Sequence, residues 1–165
     1  MRSQVSWLIV CGVAALVLAA DQVSKSLVVV AHPAADGGGL VSVRLVRNSG
    51  ASFGIGAGHP LLITLTAVVI LAIAVVLLAR TRSRATALSL AVVAGGAAGN
   101  LADRLLRGPG LGRGAVVDWI HVAGYPATFN VADVAIRLGA ICAVISYLVT
   151  APRRSRPVKS ETSPP

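Results

Sequence analysis

Long apolar stretches alternate with shorter polar segments along this chain. Four of the stretches come close to the roughly 20 residues that a helix needs to cross the hydrocarbon core of a bilayer. They are residues 5–20, 61–79, 85 to about 102, and 131–150. The pattern therefore predicts a mainly α, integral membrane protein with four transmembrane helices.

Two of the polar segments are long enough to hold structure of their own. Apolar and polar residues alternate in 41–45, which is typical of a half-exposed strand, and 48–50 then supplies turn residues. Residues 116–120 are also strand-like and follow a glycine-rich breaker run at 108–112. Because a four-span chain places both segments on the same side, we expect a small sheet that lies on the membrane surface.

Basic residues predict the orientation of the four helices. They are dense between the second and third spans, at 80–84, and again after the fourth span, at 153–159. Short basic segments next to span ends stay in the cytoplasm, so we expect cytoplasmic termini and extracytoplasmic strand segments. Residues 1–151 then form one membrane-embedded domain. Residues 152–165, rich in Pro, Ser and Arg, form a disordered basic cytoplasmic tail.

The composition agrees with a protein that resides in a bilayer. Hydrophobic residues make up 55% of the chain and charged residues only 13%, which is far from the soluble average. The net charge of +9 does not indicate a nucleic-acid partner, because the basic residues mostly flank apolar stretches. Cys11 and Cys142 lie inside such stretches without the spacing of metal ligands. We interpret them as small apolar residues and expect no metal site.

Most of the few acidic residues lie at the ends of apolar stretches, and the predicted topology places them at one membrane surface. The chain has six acidic residues, and the four in question are Asp21, Asp103, Asp118 and Asp133. The same level holds Asn48, Asn100, Arg104 and Asn130. Ionisable groups in a span are expensive unless paired or functional, so this cluster is the candidate site, although each member alone could be an interfacial anchor. Asp21 and Lys25 have the spacing of a helical ion pair, which we interpret as structural.

A polar face follows a glycine pair in the third predicted helix. Gly95 and Gly99 form a GxxxG pattern, which lets two helices approach closely. Asn100, Asp103 and Arg104 follow at positions i, i+3 and i+4 and therefore share one helix face. The Arg104 guanidinium can hold a peptide carbonyl or carboxylate, or it can simply neutralise Asp103. The sequence leaves both interpretations open.

Asp118 and Asp133 are the strongest candidates for chemistry. In an extended segment 116–122, Asp118 shares a face with apolar residues, which predicts a buried carboxyl group that favours its neutral form. Asn130 is a natural N-cap for the fourth helix, which leaves Asp133 in the first helical turn. Asp133 could alternatively cap that helix or pair with Arg137.

Two acidic side chains at one depth suggest a specific reaction. When such carboxylates lie close together they share one proton, so one acts as a base toward water and the other as an acid toward a carbonyl oxygen. That is aspartic protease chemistry, and the loop 119–128 could bring Asp118 and Asp133 together. A Ser/His/Asp site is disfavoured, because no nucleophile elbow accompanies the histidines. We interpret three residues, His32, His59 and His121, as solvated loop histidines.

Five short motifs occur in order along the membrane region. They are Asp21-Gln22-Val23-Ser24-Lys25, Asn48-Ser49-Gly50-Ala51-Ser52-Phe53, Gly99-Asn100-Leu101-Ala102-Asp103-Arg104, Val116-Val117-Asp118-Trp119-Ile120, and Phe129-Asn130-Val131-Ala132-Asp133. Any one of them would be a weak signal, whereas five in this order are specific. Together they resemble the bacterial lipoprotein signal peptidase family, also called signal peptidase II.

The resemblance implies a fold, a reaction and a location. The fold is a four-helix membrane protein with a small extracytoplasmic β-cradle, in the bacterial inner membrane. The reaction is that of an aspartyl endopeptidase, which cuts the signal peptide just before the diacylglyceryl-modified Cys of a prolipoprotein and uses no metal or organic cofactor. The implied partners are the prolipoprotein substrate and membrane lipids, and we expect a monomer.

The resemblance also implies roles for individual residues. Asp118 and Asp133 match the catalytic pair of the family. Asn48 and Arg104 match positions that are associated with holding the substrate backbone. The other matched positions are expected to bind substrate or to shape the site: Asn100 and Asn130, then Asp21, Lys25 and Asp103.

A protein of a different class, a small transporter or proton relay, would use the same acidic cluster. On the predicted topology, however, the inner halves of the spans hold only scattered hydroxyl residues such as Ser6 and Ser146. No ionisable path crosses the membrane, which disfavours this interpretation. A purely structural subunit would leave the polar face of the third helix and the five motifs unexplained.

Overall fold

A computed structural model describes most of the chain, namely residues 6–32, 39–50, 56 and 58–150. The predicted tail at 152–165 lies outside the described residues, as do Val5, 36–38 and 51–53. The helices are α1 (Trp7–Ala31), α2 (Pro60–Arg80), α3 (Arg84–Leu106) and α4 (Val131–Thr150). The strands are β1 (Val41–Asn48), β2 (Val116–Val122) and β3 (Thr128–Phe129). The mainly α fold with four helices and a small sheet is therefore confirmed.

All four helices are long and apolar enough to cross a membrane. Large apolar side chains lie exposed along the outside of the bundle, for example Leu16 at 70%, Leu65 at 58% and Leu148 at 67%. Such a surface is favourable in lipid and unfavourable in water, which supports a multi-pass membrane protein. Cys11 and Cys142 are free thiols on this exposed surface.

Helix α1 is longer than the sequence pattern predicted. The apolar stretch was expected to end at Ala20, but the helix continues to Ala31. Asp21 and Lys25 do not interrupt it because both are fully buried, and their side chains form an ion pair of 2.7 Å. The structural ion pair is confirmed, and the predicted end of the first apolar stretch does not mark the end of the helix.

Helix α3 lies at the centre of the bundle. Its glycines let the neighbouring helices α1 and α4 pack closely against it. Over half of its apolar stretch is buried, 56% against 11% for both α1 and α2. A Cβ atom at Gly95 would lie 2.5 Å from the Ala14 carbonyl oxygen of α1. One at Gly96 would lie 2.7 Å from the Ala132 carbonyl oxygen of α4. Glycine is therefore required for both close approaches; Gly95 belongs to the predicted GxxxG pair, whereas Gly96 lies outside it.

Helix α2 packs on the other side of α3 through fewer buried residues. Ala74, together with the partly buried Leu71, contacts Val93 and Ala94 of α3. A tight turn connects the two helices, and Ser83 caps α3 by accepting a hydrogen bond from the Thr86 amide. We call this end of the bundle the turn end.

The three strands form one antiparallel sheet in the order β1-β2-β3 at the opposite end of the bundle, which we call the sheet end. Val46 lies opposite Asp118, and Asn48 lies opposite Val116. A bulge between Val43 and Val46 shifts the register of β1. Because a bulge breaks the alternation of faces, the sequence pattern ended at 45 although the strand continues to Asn48.

Candidate active site

A cavity of about 320 Å³ opens at the sheet end, between α2, α3, α4 and the sheet. One side, the polar wall, consists of Asn48, Asn100, Arg104, Asp118 and Asp133. The apolar part of the lining, the apolar wall, includes Ile63, Ala67, Ile70 and Ile136, of which the first three belong to α2. The structure therefore brings together in one cavity the two predicted catalytic residues and three of the four predicted substrate-binding residues.

Asp118 lies in β2 and is only 2% exposed. Its carboxylate accepts hydrogen bonds from the Asn48 amide at 3.0 Å and from the Asn130 amide at 2.6 Å. Burial raises the pKa of Asp118 to about 6, and the charge of Asp133 raises it as well, while the two amides oppose the shift. The predicted burial is confirmed, but the expected apolar surroundings of the carboxylate are wrong, because two amides contact it.

Asn130 connects the sheet to the start of α4. Its Oδ1 atom accepts a hydrogen bond from the Asp133 amide at 2.9 Å, which confirms the predicted N-cap. Its Nδ2 atom donates to Asp118. One fully buried side chain thus fixes both the first turn of the helix and the carboxylate of the strand.

Asp133 lies in the first turn of α4, where its Oδ1 atom accepts a hydrogen bond of 2.9 Å from Nδ2 of Asn100. The alternative in which it pairs with Arg137 is wrong, since the salt bridges among the described residues do not include this pair. The Arg137 guanidinium lies instead 5.9 Å from the centroid of the Phe129 ring. Asp133 therefore keeps its carboxylate directed into the cavity region.

Asn100 is the junction between the polar wall and the buried charges behind it. Its Oδ1 atom accepts hydrogen bonds from Lys25 at 2.9 Å and from Asn130 at 3.1 Å. Two donors at one atom identify that atom as the oxygen, so the Nδ2 group must face Asp133. The predicted inward orientation of this residue is confirmed.

The buried charges behind the polar wall form an ion cluster. Lys25 contacts Asp21 at 2.7 Å and Asp103 at 2.9 Å, and all three side chains are fully buried. Asp21 also accepts from the Ala132 amide of α4, and Asp103 from the Val117 amide of β2. The three residues that were expected to shape the site therefore connect α1, α3, α4 and the sheet.

Two members of this cluster were not predicted from the sequence. Arg107 forms a 2.7 Å salt bridge with Asp103, and its spacing of i, i+4 could have revealed it. Gln22 donates to Asp103 and to the Gly99 carbonyl oxygen. Its place in the first motif was a signal, but these two contacts could not be predicted, because neither partner lies close to it in sequence.

Arg104 is 5% exposed and does not neutralise Asp103, whose partners are Lys25 and Arg107. Its Nη2 atom donates to the Gly50 carbonyl oxygen at 2.6 Å. Its Nη1 atom is buried without a hydrogen-bond partner among the described residues. A guanidinium that is anchored at one nitrogen and unsatisfied at the other is suited to receive an acceptor atom in the cavity.

The histidines lie away from this arrangement. His32 and His59 are exposed next to the ends of α1 and α2, as predicted. His121 lies in β2 and is half-buried, so its prediction as a solvated loop residue is wrong. Within residues 6–32, 39–50, 56 and 58–150, no group of three or more His, Cys, Asp and Glu side chains could hold a metal ion.

Comparison with known proteins gives a consistent result. Residues 13–149 match the family described as Peptidase A8, signal peptidase (SPase) II. A lipoprotein signal peptidase of Rhodococcus jostii (strain RHA1) is 45% identical over 141 residues, which cover 83% of this chain and 71% of that protein. One of Mycobacterium avium (strain 104) is 40% identical over 137 residues, which cover 81% and 75%.

Solved structures agree on the fold. A bacterial membrane enzyme determined by the in meso method at 2.3 Å resolution superposes with a TM-score of 0.80. It covers 94% of this chain and 98% of that one at 23% identity. A second, at 1.9 Å resolution, gives a TM-score of 0.76 at 24% identity, with 92% and 99% covered. At these identities the likeness concerns the fold alone.

Proposed function

The chain belongs to the signal peptidase II family, and on that premise we propose that Asp118 and Asp133 are its catalytic pair. Membership makes it a peptidase that acts on lipoprotein precursors. The proposed reaction is hydrolysis of the peptide bond just before a diacylglyceryl-modified Cys. The observation that carries the proposal is that both carboxylates line one cavity, held by asparagine amides of the same hydrogen-bond network.

The proposed resting state has one proton on the pair. Asp118 carries it, because burial raises the pKa of Asp118 to about 6, and Asp133 serves as the base. Asp133 takes a proton from water, whose oxygen attacks the scissile carbonyl carbon, while Asp118 donates its proton to the carbonyl oxygen. Asp133 then protonates the leaving amine of the lipidated Cys, and Asp118 recovers a proton as the new carboxyl group forms.

Arg104 and Asn48 are proposed to hold the substrate backbone next to this pair. The bond to Gly50 fixes the Arg104 guanidinium, so its Nη1 atom can donate to a peptide carbonyl without further ordering. Asn48 donates to Asp118 and accepts from the Gly50 amide at 2.9 Å. The same short turn therefore ties both proposed binding residues to one catalytic carboxylate.

The apolar wall and the bilayer are proposed to hold the rest of the substrate. The apolar signal segment would lie against α2, with the lipid tails in the surrounding bilayer. Basic residues at 80–84 and 153–159 support cytoplasmic termini, which puts the sheet end and its cavity on the extracytoplasmic side. In this proposal residues 1–151 act as a monomeric peptidase domain and 152–165 as a tail without a catalytic role.

A transporter or proton relay receives less support from the structure. The charged side chains that are buried among the described residues, Asp21, Lys25, Asp103, Arg104 and Asp118, all lie at or near the sheet end. Near the turn end the buried polar residue is Thr86, which cannot relay a proton alone. Proton flux into liposomes that contain the purified protein would restore this alternative.

The test is cleavage of a synthetic prolipoprotein peptide in detergent, with and without its diacylglyceryl group. We expect wild type to cut only the lipidated form, and Asp118→Asn and Asp133→Asn to lose on the order of 10³-fold or more in rate. The matched control is Asp36→Asn, the same chemical change at a residue outside both the described residues and the five motifs. Wild-type rates for either catalytic variant would overturn the proposal.

A further inference from the structure

We propose that Lys25 is a positioning residue for the catalytic pair: it fixes the orientation of the Asn100 side-chain amide and, through that amide, the Asp133 carboxylate. The inference rests on the proposed function, because it assigns Asp133 to the reaction. It also gives a defined role to Lys25, which was predicted as half of a structural ion pair and, from the resemblance, as a residue that shapes the site. The contacts of Lys25 and Asn100 carry the argument.

Every donor of the Lys25 ammonium is used. An ammonium group has three N–H bonds, and Lys25 directs them to Asp21 at 2.7 Å, Asp103 at 2.9 Å and Asn100 at 2.9 Å. The side chain is fully buried, so water does not compete for these bonds. The ammonium is therefore held in one place by two helices, and its third bond is directed at the Asn100 oxygen.

This third bond leaves Asn100 a single orientation. Its oxygen receives Lys25 and Asn130, and its NH₂ group donates to Asp133. If the amide turned by 180°, the NH₂ group would face two other donors and the oxygen would face a carboxylate. All three contacts would become repulsive, so Lys25 and Asn130 together determine that a donor, rather than an acceptor, faces Asp133, and Lys25 makes the shorter of the two bonds.

Charge neutralisation alone does not require this arrangement. Asp103 already has a salt bridge of 2.7 Å with Arg107, so one of the two buried aspartates is paired without Lys25. The bond from Lys25 to Asn100 is an addition that a purely structural pair with Asp21 would lack. The charged groups near Lys25 and Asn100 come from four elements. They are Asp21 of α1, Asp103, Arg104 and Arg107 of α3, Asp133 and Arg137 of α4, and Asp118 of β2.

The first test compares two lysine variants in the prolipoprotein cleavage assay. Lys25→Met keeps the apolar stem and removes the ammonium, and we expect about a 10- to 100-fold lower kcat because the pair is misplaced. Since this variant leaves Asp21 buried without its partner, it is paired with the double variant Lys25→Met/Asp21→Asn, which restores charge balance. We expect the double variant to regain thermal stability while kcat stays low.

The control for charge is Arg113→Met. Arg113 is an exposed residue before β2 that does not line the cavity, so its removal changes the net charge equally. We expect wild-type kcat and a wild-type pH profile. A double variant that recovered wild-type kcat together with stability would overturn the inference, because Lys25 would then serve only to neutralise Asp21.

The pH profile of Lys25→Met tests whether the Lys25 charge acts on the catalytic pair. The charge of Lys25 lowers the pKa of Asp118, while burial raises it. Removing that charge raises the pKa further, so the pair keeps its shared proton to higher pH. The Lys25 charge is the weakest of the five influences on this pKa, so we expect only a small upward move of the alkaline limb of kcat/KM in Lys25→Met. A downward move would contradict the inference, because the Lys25 charge would then not act on the pair.

A third variant keeps the inference testable even if the lysine variants do not fold. Asn100→Ala removes the donor to Asp133 and leaves the contacts of Lys25 with Asp21 and Asp103 in place, so we expect a rate about 100-fold lower. A wild-type rate would overturn the positioning role while leaving the catalytic pair in place. Activity in Asp133→Asn, by contrast, would remove the proposed function itself. The outcomes are therefore distinguishable.

Discussion

The two walls of the cavity are built in opposite ways. Each side chain of the polar wall is bonded to a residue from another element, as Asp118 in β2 is to Asn130, and Asp133 in α4 is to Asn100. The apolar wall comes mainly from α2, which has few buried residues and faces lipid along most of its length. No hydrogen bond between side chains holds that wall in the described residues.

This difference separates two requirements of the proposed reaction. Acid–base chemistry needs atoms held within a fraction of an ångström, which a network of bonds between helices provides. Binding an apolar segment needs only contact area, which a mobile or substituted helix face still supplies. We therefore expect the polar wall to tolerate little change and the apolar wall to tolerate much.

The largest effect is expected when the helices that support the polar wall are separated. A Cβ atom at Gly99 would lie 2.5 Å from an oxygen of the fully buried Asp21. Gly99→Leu should therefore separate α1 from α3 and disrupt the ion cluster, with a loss of stability on the order of 3–5 kcal/mol. The measurement is thermal unfolding in detergent.

The matched control is Gly12→Leu, because Gly12 is an exposed residue of α1 at which an added Cβ atom would have no neighbouring atom within 4 Å. We expect the melting temperature of this variant to stay close to that of wild type. Equal melting temperatures for the Gly12 and Gly99 variants would show that close packing does not support the polar wall.

A smaller effect is expected from one residue of the polar wall itself. Arg104→Gln removes the unsatisfied Nη1 donor, and we expect about a 100-fold lower kcat/KM, similar to the loss of one donor to a developing charge. Arg104→Lys should not restore it, because an ammonium cannot bond Gly50 and a substrate carbonyl in the same geometry. If Arg104→Gln were as active as the exposed control Arg113→Gln, Arg104 would have no role in binding.

The pH dependence should reveal the environment of Asp118. Because its pKa is raised to about 6, the pair loses its shared proton as the pH rises through that value, and kcat/KM of wild type should fall there. Asn48→Ala removes a donor that lowers this pKa, so the decline should move to higher pH by roughly half a unit. A shift to lower pH would contradict the assignment of the proton to Asp118.

The smallest effect is expected on the apolar wall. Ile70→Ala removes side-chain contacts from the cavity lining, and we expect KM to rise about two- to fivefold while kcat is unchanged. Ile73→Ala is the matched control on the same helix, since Ile73 is 53% exposed and does not line the cavity. A large fall in kcat for Ile70→Ala would mean that the two walls are not separate in function.

Much of the fold could be predicted because apolar length and alternation are local properties. The four spans and both longer strands followed from such patterns, and the cap at Asn130 followed from its place before an apolar run. The end of α1 could not be predicted in this way. Asp21 and Lys25 resemble the end of a span in sequence, and only burial against α3 explains why the helix continues to Ala31.

The candidate site was predictable as a set of residues but not as a network. The motifs singled out Asp118, Asp133 and Arg104, and the structure places them around one cavity. Their partners come from distant parts of the chain: the Gly50 carbonyl for Arg104, and the Asn48 amide for Asp118. Sequence spacing carries no information on such contacts, and the roles of these residues stay predictions until the variants are measured.

The two contacts of the Asn130 side chain have a consequence for how the bundle is held together. Its side chain starts α4 and holds Asp118, while Asp21 of α1 accepts from the Ala132 amide at the start of the same helix. The start of α4 is therefore held by β2 and by α1 at once, so Asp118 and Asp133 keep these contacts only while the three elements pack together. Loosening α1 alone would leave both aspartates in the chain and remove one of the contacts that hold the start of α4.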